Sequence, residues 1–234
     1  MTELLFMDDC YLKEADALVK SVAEKFIVLD KSIFYPNGGG QPSDTGKLIR
    51  EGEEFNVVFA KKLGSDISLE VDKEGLREGD QVRQVLDWNR RFRLMRMHTA
   101  AHIVSGVFHK ESGAKITGNQ IDIEKTRIDF DLESFDREKI DDYIAKSNEI
   151  IEKDLPIKIY SMPRLEAEKD ESLARLAKGL PEGIQEIRIV DIEGFDRQAD
   201  GGTHVKSTGE VGKIKFLKAD NKGAARRRVY FKLE

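Results

Sequence analysis

The sequence predicts an α+β protein in which an antiparallel β domain precedes a domain of mixed helices and strands. Three observations carry this. Up to about residue 88, short runs rich in β-branched and aromatic residues alternate with Gly, Asp and Asn turn signals. From Trp88 a stretch with no Gly or Pro before Gly106 takes over, its apolar residues at helical spacing. Beyond it, helical and strand-like segments alternate. The boundary falls near residue 89, giving domains at 1–89 and 90–234.

The runs at 26–29, 55–59 and 67–71 read as strands, and their even punctuation suits a small barrel or a sandwich. Segment 12–24 reads two ways: its composition is helical, yet Val19-Lys20-Ser21-Val22 fits a strand. The segment from Asn89 into Ala101, Val104, Val107 and Phe108 reads as a helix of roughly 18 residues. A strand pair follows at 114–117 and 126–130. Ser134, ahead of Glu138 and Lys139, opens a second helix over 137–153, which Pro156 ends. A strand at 157–160, a shorter helix near 167–177, and strands at 187–190, 212–217 and 228–232 complete the chain.

With 234 residues, 39% hydrophobic, the chain is long enough to bury a core. Its longest apolar runs are about four residues, as in Phe26-Ile27-Val28-Leu29, against the ~20 of a membrane helix, which excludes membrane spans. Glu3, Asp8 and Asp9 sit where a secretory signal would be basic and then apolar, so a cytoplasmic location is expected. A single cysteine, Cys10, excludes an intrachain disulfide and a multi-thiolate metal cluster. Any metal site must therefore use His and carboxylates. The net charge of −5 is unevenly spread: residues 1–89 hold 11 Lys/Arg against 18 Asp/Glu, whereas 206–234 hold nine against three. A basic tail on an acidic protein suits contact with phosphates, and Lys222, Arg226, Arg227 and Arg228 are its candidate contacts.

His98 and His102, spaced i and i+4, lie on one helix face about a turn apart, a spacing that suits two ligands of one metal ion. Thr99 stands where the thermolysin-like peptidase motif has its general-base Glu, which disfavours that chemistry. In Asp200-Gly201-Gly202-Thr203-His204 the two glycines would allow a tight turn that aims His204, a plausible third ligand, through backbone conformations other residues avoid. The loop 34–46 has three consecutive glycines with Pro on either side, so its backbone can approach a ligand while the Gln41 amide donates and accepts hydrogen bonds.

These three segments, His98-Thr99-Ala100-Ala101-His102, the loop 34–46 and Gly201-Gly202-Thr203-His204-Val205, stand in the order and at the separations found in alanyl-tRNA editing proteins. Over nearly its whole length the chain resembles the freestanding AlaX family in its medium-length form. That family is related to the editing domain of alanyl-tRNA synthetase and, over the second domain, of threonyl-tRNA synthetase. The resemblance implies an N-terminal β-barrel followed by an α+β editing domain of that type. It also implies a hydrolase that deacylates mischarged tRNA(Ala), chiefly Ser-tRNA(Ala) and also Gly-tRNA(Ala).

The family further implies zinc, held by His98, His102 and His204 and by a Cys whose position is occupied here by Asp200. A carboxylate oxygen can bind zinc at about 2.0–2.2 Å; equally, Asp200 can stand back and leave the fourth position to water. The sequence is compatible with both. Thr117, in Ala114-Lys115-Ile116-Thr117, matches the family threonine that recognises the seryl hydroxyl, and Asn119 and Gln120 are further candidates for that pocket. Gln41 and the loop amides would orient the terminal adenosine or stabilise a developing oxyanion. Two rival readings are a zinc-dependent amide or ester hydrolase of free small molecules, and a tRNA-binding module inactive because Asp200 replaces the thiolate.

Overall fold

The computed structural model describes residues 1–133, 137–170, 173, 183–223 and 226–234. The chain divides into two compact units, Met1–Leu94 and Met95–Glu234.

The first unit begins with β1 (Glu3–Leu4) and a single helical turn, α1 (Leu5–Asp8). Strands β2 (Glu14–Ala23), β3 (Phe26–Leu29), β4 (Lys31–Ser32), β5 (Gly46–Arg50), β6 (Glu53–Leu63), β7 (Asp66–Val71) and β8 (Gln81–Leu86) follow. β1 pairs in parallel with β4. The other six strands close into a barrel in the order β2–β3–β7–β6–β5–β8, which decides the barrel over the sandwich. Closure pairs both edges of every strand, so no ladder is left open to another chain. Segment 12–24 proves to be strand β2, because Ala17 and Val19 point into the barrel while their neighbours stay out. Leu48, Phe55, Val57, Ala60, Ile67, Leu69, Val71, Val82 and Leu86 fill the interior from the other strands.

The division between the units falls within α2 (Trp88–Ser112), whose 25 residues exceed the length expected from its sequence. Positions 97–108 are buried without interruption, Gly106 included. The added residues are Trp88 at its start and 109–112 at its end, a partly to fully exposed last turn in which no apolar residue extends the stripe that ends at Phe108.

The second unit continues with β9 (Ile116–Gln120), β10 (Thr126–Phe130), α3 (Arg137–Glu152), β11 (Ile157–Pro163), α4 (Arg164–Ala167), β12 (Glu186–Ile192) and β13 (Asp196–Ala199). A 3₁₀ turn at Thr208–Glu210 leads to β14 (Ile214–Asn221) and β15 (Arg227–Leu233). The strands form one antiparallel sheet in the order β14–β15–β10–β9 and a second in the order β11–β12–β13. The amphipathic α3 buries Ile140, Tyr143, Ile144 and Ile151. Phe108 of α2 stacks on Phe130 of β10 at 4.4 Å and meets Tyr143 edge-on at 4.9 Å. Asn148 fixes α3 to β14 by donating to the Ile214 carbonyl at 3.0 Å and accepting from the Ile214 N–H at 2.8 Å.

β13 is absent from the sequence expectation because its buried positions are Asp196 and Gln198, so it reads as a polar loop. Of the helix expected near 167–177, residues 171–172 and 174–177 lie outside the described residues, as does Ser134 ahead of α3. Among the described residues no helix is long and apolar enough to cross a membrane.

Candidate metal centre

Helical spacing on α2 sets the His98 and His102 rings 5.2 Å apart, both buried. The chain leaving β13 brings the third ring to them, with His204 4.3 Å from His98 and 4.6 Å from His102. Asp200 completes the group: its Oδ2 lies 3.5 Å from His98 Nε2 and its Oδ1 3.2 Å from His204 Nε2. One ligand atom from each of the four residues falls within 4.8 Å of all the others, an arrangement that could hold a metal ion.

Five contacts fix the segment from Asp200 to Val205. The Gly202 N–H donates to Asp200 Oδ1 at 2.7 Å, closing an Asx-type turn. Buried Arg188 of β12 donates from Nη1 to the Asp200 and Gly202 carbonyls, each at 2.9 Å. The Thr99 hydroxyl oxygen lies 3.1 Å from His204 Nδ1 and accepts the Val205 N–H at 3.3 Å. The expectation that the glycines serve through unusual backbone conformations is corrected here, because neither Gly201 nor Gly202 has a positive φ. Space is the reason for Gly202: a Cβ there would overlap the His98 ring.

Electrostatics prepare the group for a cation. Burial pushes the His98 imidazole below its ordinary value and His204 well below it, so both are neutral at pH 7 and keep a lone pair for ligation. Burial also raises the Asp200 carboxyl, but His98 and the hydrogen bond with His204 outweigh it and hold Asp200 well below the usual carboxylate range.

Other residues singled out by the sequence lie outside this cluster. Between β9 and β10 the register shifts at Asp129/Phe130, so that Gly118 faces Asp129, Ile116 faces Phe130, and Thr117 is the extra residue of a β-bulge. Bulges re-aim side chains. Here the Thr117 Oγ1 is buried and has no hydrogen-bond partner among the described residues. Gln120 is exposed and accepts from Arg127 Nε at 3.0 Å.

Gln41 belongs to the first unit, where it is buried and exchanges backbone hydrogen bonds with Gly38. Its loop is held by Asp44, whose carboxylate accepts the Tyr35 N–H at 2.6 Å and pairs with the buried Arg91 of α2. In the basic tail, Arg226 and Lys222 are exposed. Arg228 makes a two-pronged pair with Asp129 at 2.6 and 2.8 Å. Arg227 is buried and donates to Asn221 Oδ1 at 2.9 Å and to the Gly223 carbonyl at 2.6 Å. The roles of Thr99 and Arg188 leave no signal in the sequence, since each acts on a partner far along the chain.

Two family models match the chain. One, described as the threonyl and alanyl tRNA synthetase second additional domain, covers residues 187–230, and the other, described as tRNA synthetases class II (A), covers residues 6–90. The alanyl-tRNA editing protein AlaX-M of Methanosarcina barkeri is 51% identical over 100% of this chain and 99% of its own length. The protein of the same name from Saccharolobus solfataricus is 43% identical over 99% of this chain and 98% of its own length. The alanine–tRNA ligase of Pyrococcus furiosus is 36% identical over 94% of this chain, which spans 24% of that ligase.

Proposed function

This chain belongs to the family of alanyl-tRNA editing proteins, and from that premise we propose that it hydrolyses the ester of a wrongly attached amino acid on tRNA(Ala), serine first and glycine second. The observation that carries the reading is the convergence of His98, His102, His204 and Asp200. The donor set suits zinc: three imidazoles and a carboxylate oxygen are ligands zinc accepts. Asp200 lies 3.5 Å from His98 Nε2 and 3.2 Å from His204 Nε2, near enough for its carboxylate to hold an ion together with them. Asp200 is thus read as the oxygen donor in place of the family cysteine. Bound there, zinc supplies positive charge that polarises a substrate oxygen.

The other roles fall to the chain's own groups. The orphan Thr117 hydroxyl is matched to a seryl hydroxyl; when alanine binds it stays unpaired, a cost that rejects the correct amino acid. We read the hydrolysis as direct attack by water, since the cluster offers imidazoles and a carboxylate while Cys10 is buried in the first unit. Exposed Arg226 and Lys222 present the charge that a phosphate backbone meets, whereas Arg227 and Arg228 brace the β14–β15 hairpin and β10. The reaction takes place on tRNA, a cytoplasmic substrate.

Zinc content and deacylation together test the reading. The purified protein should carry about one zinc per chain, release serine from Ser-tRNA(Ala), release glycine more slowly from Gly-tRNA(Ala), and leave Ala-tRNA(Ala) intact. Activity that survives complete zinc removal and loss of His204 would refute the metal centre. Binding of tRNA without hydrolysis of any of the three esters would mark an inactive module instead.

A further inference from the structure

Thr99 is fully buried on α2 between the two histidines of the cluster, on the turn that carries them. Its hydroxyl oxygen meets two groups of one distant segment, Nδ1 of His204 at 3.1 Å and the Val205 N–H at 3.3 Å. The backbone contact fixes where the hydroxyl sits relative to His204, and the ring contact fixes which way the imidazole turns. With Nδ1 held by Thr99, Nε2 is the nitrogen that faces Asp200 Oδ1, at 3.2 Å. A hydroxyl suits this place because it both donates and accepts. It can receive a proton carried on Nδ1 when Nε2 is a ligand, and can donate to Nδ1 when the ring proton sits on Nε2 against Asp200.

We propose that Thr99 is a positioning residue for the metal centre: tethered to the Val205 N–H, its hydroxyl holds Nδ1 of His204 and presents Nε2 as the ligating nitrogen. This rests on the reading of the cluster as a zinc site. The partner of a ligating imidazole's second nitrogen sets ring orientation, and losing such a partner costs about 10- to 100-fold in metal affinity. In thermolysin-like peptidases the residue after the first helix histidine is a general base. Here the same position serves the third ligand.

The test is zinc affinity by chelator competition on the full chain, with zinc alone as the probe, in the parent, Thr99→Val and Thr99→Ser. Thr99→Val, close in volume but without the hydroxyl, should bind zinc about 10- to 100-fold more weakly. Thr99→Ser should stay within about threefold of the parent, because it keeps the hydroxyl. Thermal unfolding of the metal-free proteins separates loss of affinity from loss of fold. Should Thr99→Val fail to fold, imidazole ¹⁵N NMR of the zinc-loaded parent decides, with zinc expected on Nε2 of His204 and a proton on Nδ1. Zinc on Nδ1, equal affinity of Thr99→Val and parent, or a loss in Thr99→Ser as large as in Thr99→Val overturns the proposal. A parent that binds no zinc instead overturns the metal centre itself.

Discussion

In the first unit Arg91 and Asp44 are fully buried side chains of opposite permanent charge, and in the second Asp200 is half-buried against imidazoles of His98 and His204 that carry none at neutral pH. The Arg91 fork is satisfied from several directions: Nε donates to Asp44 at 3.0 Å, Nη1 to the Cys10 carbonyl at 2.9 Å and Nη2 to the Ile33 carbonyl at 2.6 Å. That constellation is complete without a ligand. The anion of the other, half-buried and bonded to the Gly202 N–H, sits among imidazoles whose lone pairs a cation would share with it. The contrast separates polar groups that build the protein from polar groups that wait for something, and each group can be placed by whether its loss affects stability or chemistry.

The largest expected effect lies on the structural side. Arg91→Met removes the cation and leaves Asp44 buried and unpaired, which should cost about 3–5 kcal/mol of folding stability. Chemical denaturation would read this as a lower midpoint at constant slope. Zinc per folded chain should not change. Adding Asp44→Leu should restore part of the loss, since no buried charge then remains. If Arg91→Met costs less than about 1 kcal/mol, the pair is no anchor and the contrast fails on its structural side.

A smaller effect of the same kind belongs to the Asp129–Arg228 pair of the β9–β10–β15 sheet. The Arg228 guanidinium holds the Asp129 carboxyl below its ordinary value against the opposing effect of burial. Asp129→Asn should cost about 1.5 kcal/mol at pH 7, the low end for charged hydrogen bonds because Arg228 is partly exposed. Because the folded value is depressed, this contribution is complete above the unfolded carboxylate pKa of about 3.9 and is lost as pH falls through the folded value. The stability gap between parent and variant should therefore be flat from pH 8 to 5 and close only below about pH 4. A gap that closes between pH 5 and 7 would mean that another group titrates against Arg228.

What the sequence made legible follows from the range of the physics. The His98/His102 pair could be read because i, i+4 spacing is local, and its closeness to His204 came from a family resemblance. The strands of the first unit were marked by composition, but barrel rather than sandwich depends on β2 pairing with both β3 and β8, a register no local pattern encodes. Thr99 and His204 lie 105 residues apart, and Arg91 and Asp44 lie 47 apart, so neither contact leaves a mark in its own neighbourhood. At Gly202 the sequence shows that a side chain is missing, and only the placement of the His98 ring shows that space, not backbone conformation, requires it.

The smallest expected effect lies on the functional side, at Thr117. Its buried hydroxyl has no partner among the described residues, so Thr117→Val removes a polar atom that folding desolvates without compensation. Stability should be unchanged or slightly raised, the opposite of the response at Arg91. The rate on Ser-tRNA(Ala) should fall by about two- to tenfold, the value of one hydrogen bond of about 0.5–1.5 kcal/mol, while any hydrolysis of Gly-tRNA(Ala) stays within error because glycine offers no hydroxyl. Stability and selectivity would then move independently, the behaviour expected where a site keeps an unsatisfied group for its substrate. Equal losses on the two esters, or a clear drop in stability, would place Thr117 with Arg91 among the groups that build the fold, and the choice of serine would have to be sought elsewhere, with Asn119 and Gln120 next on β9.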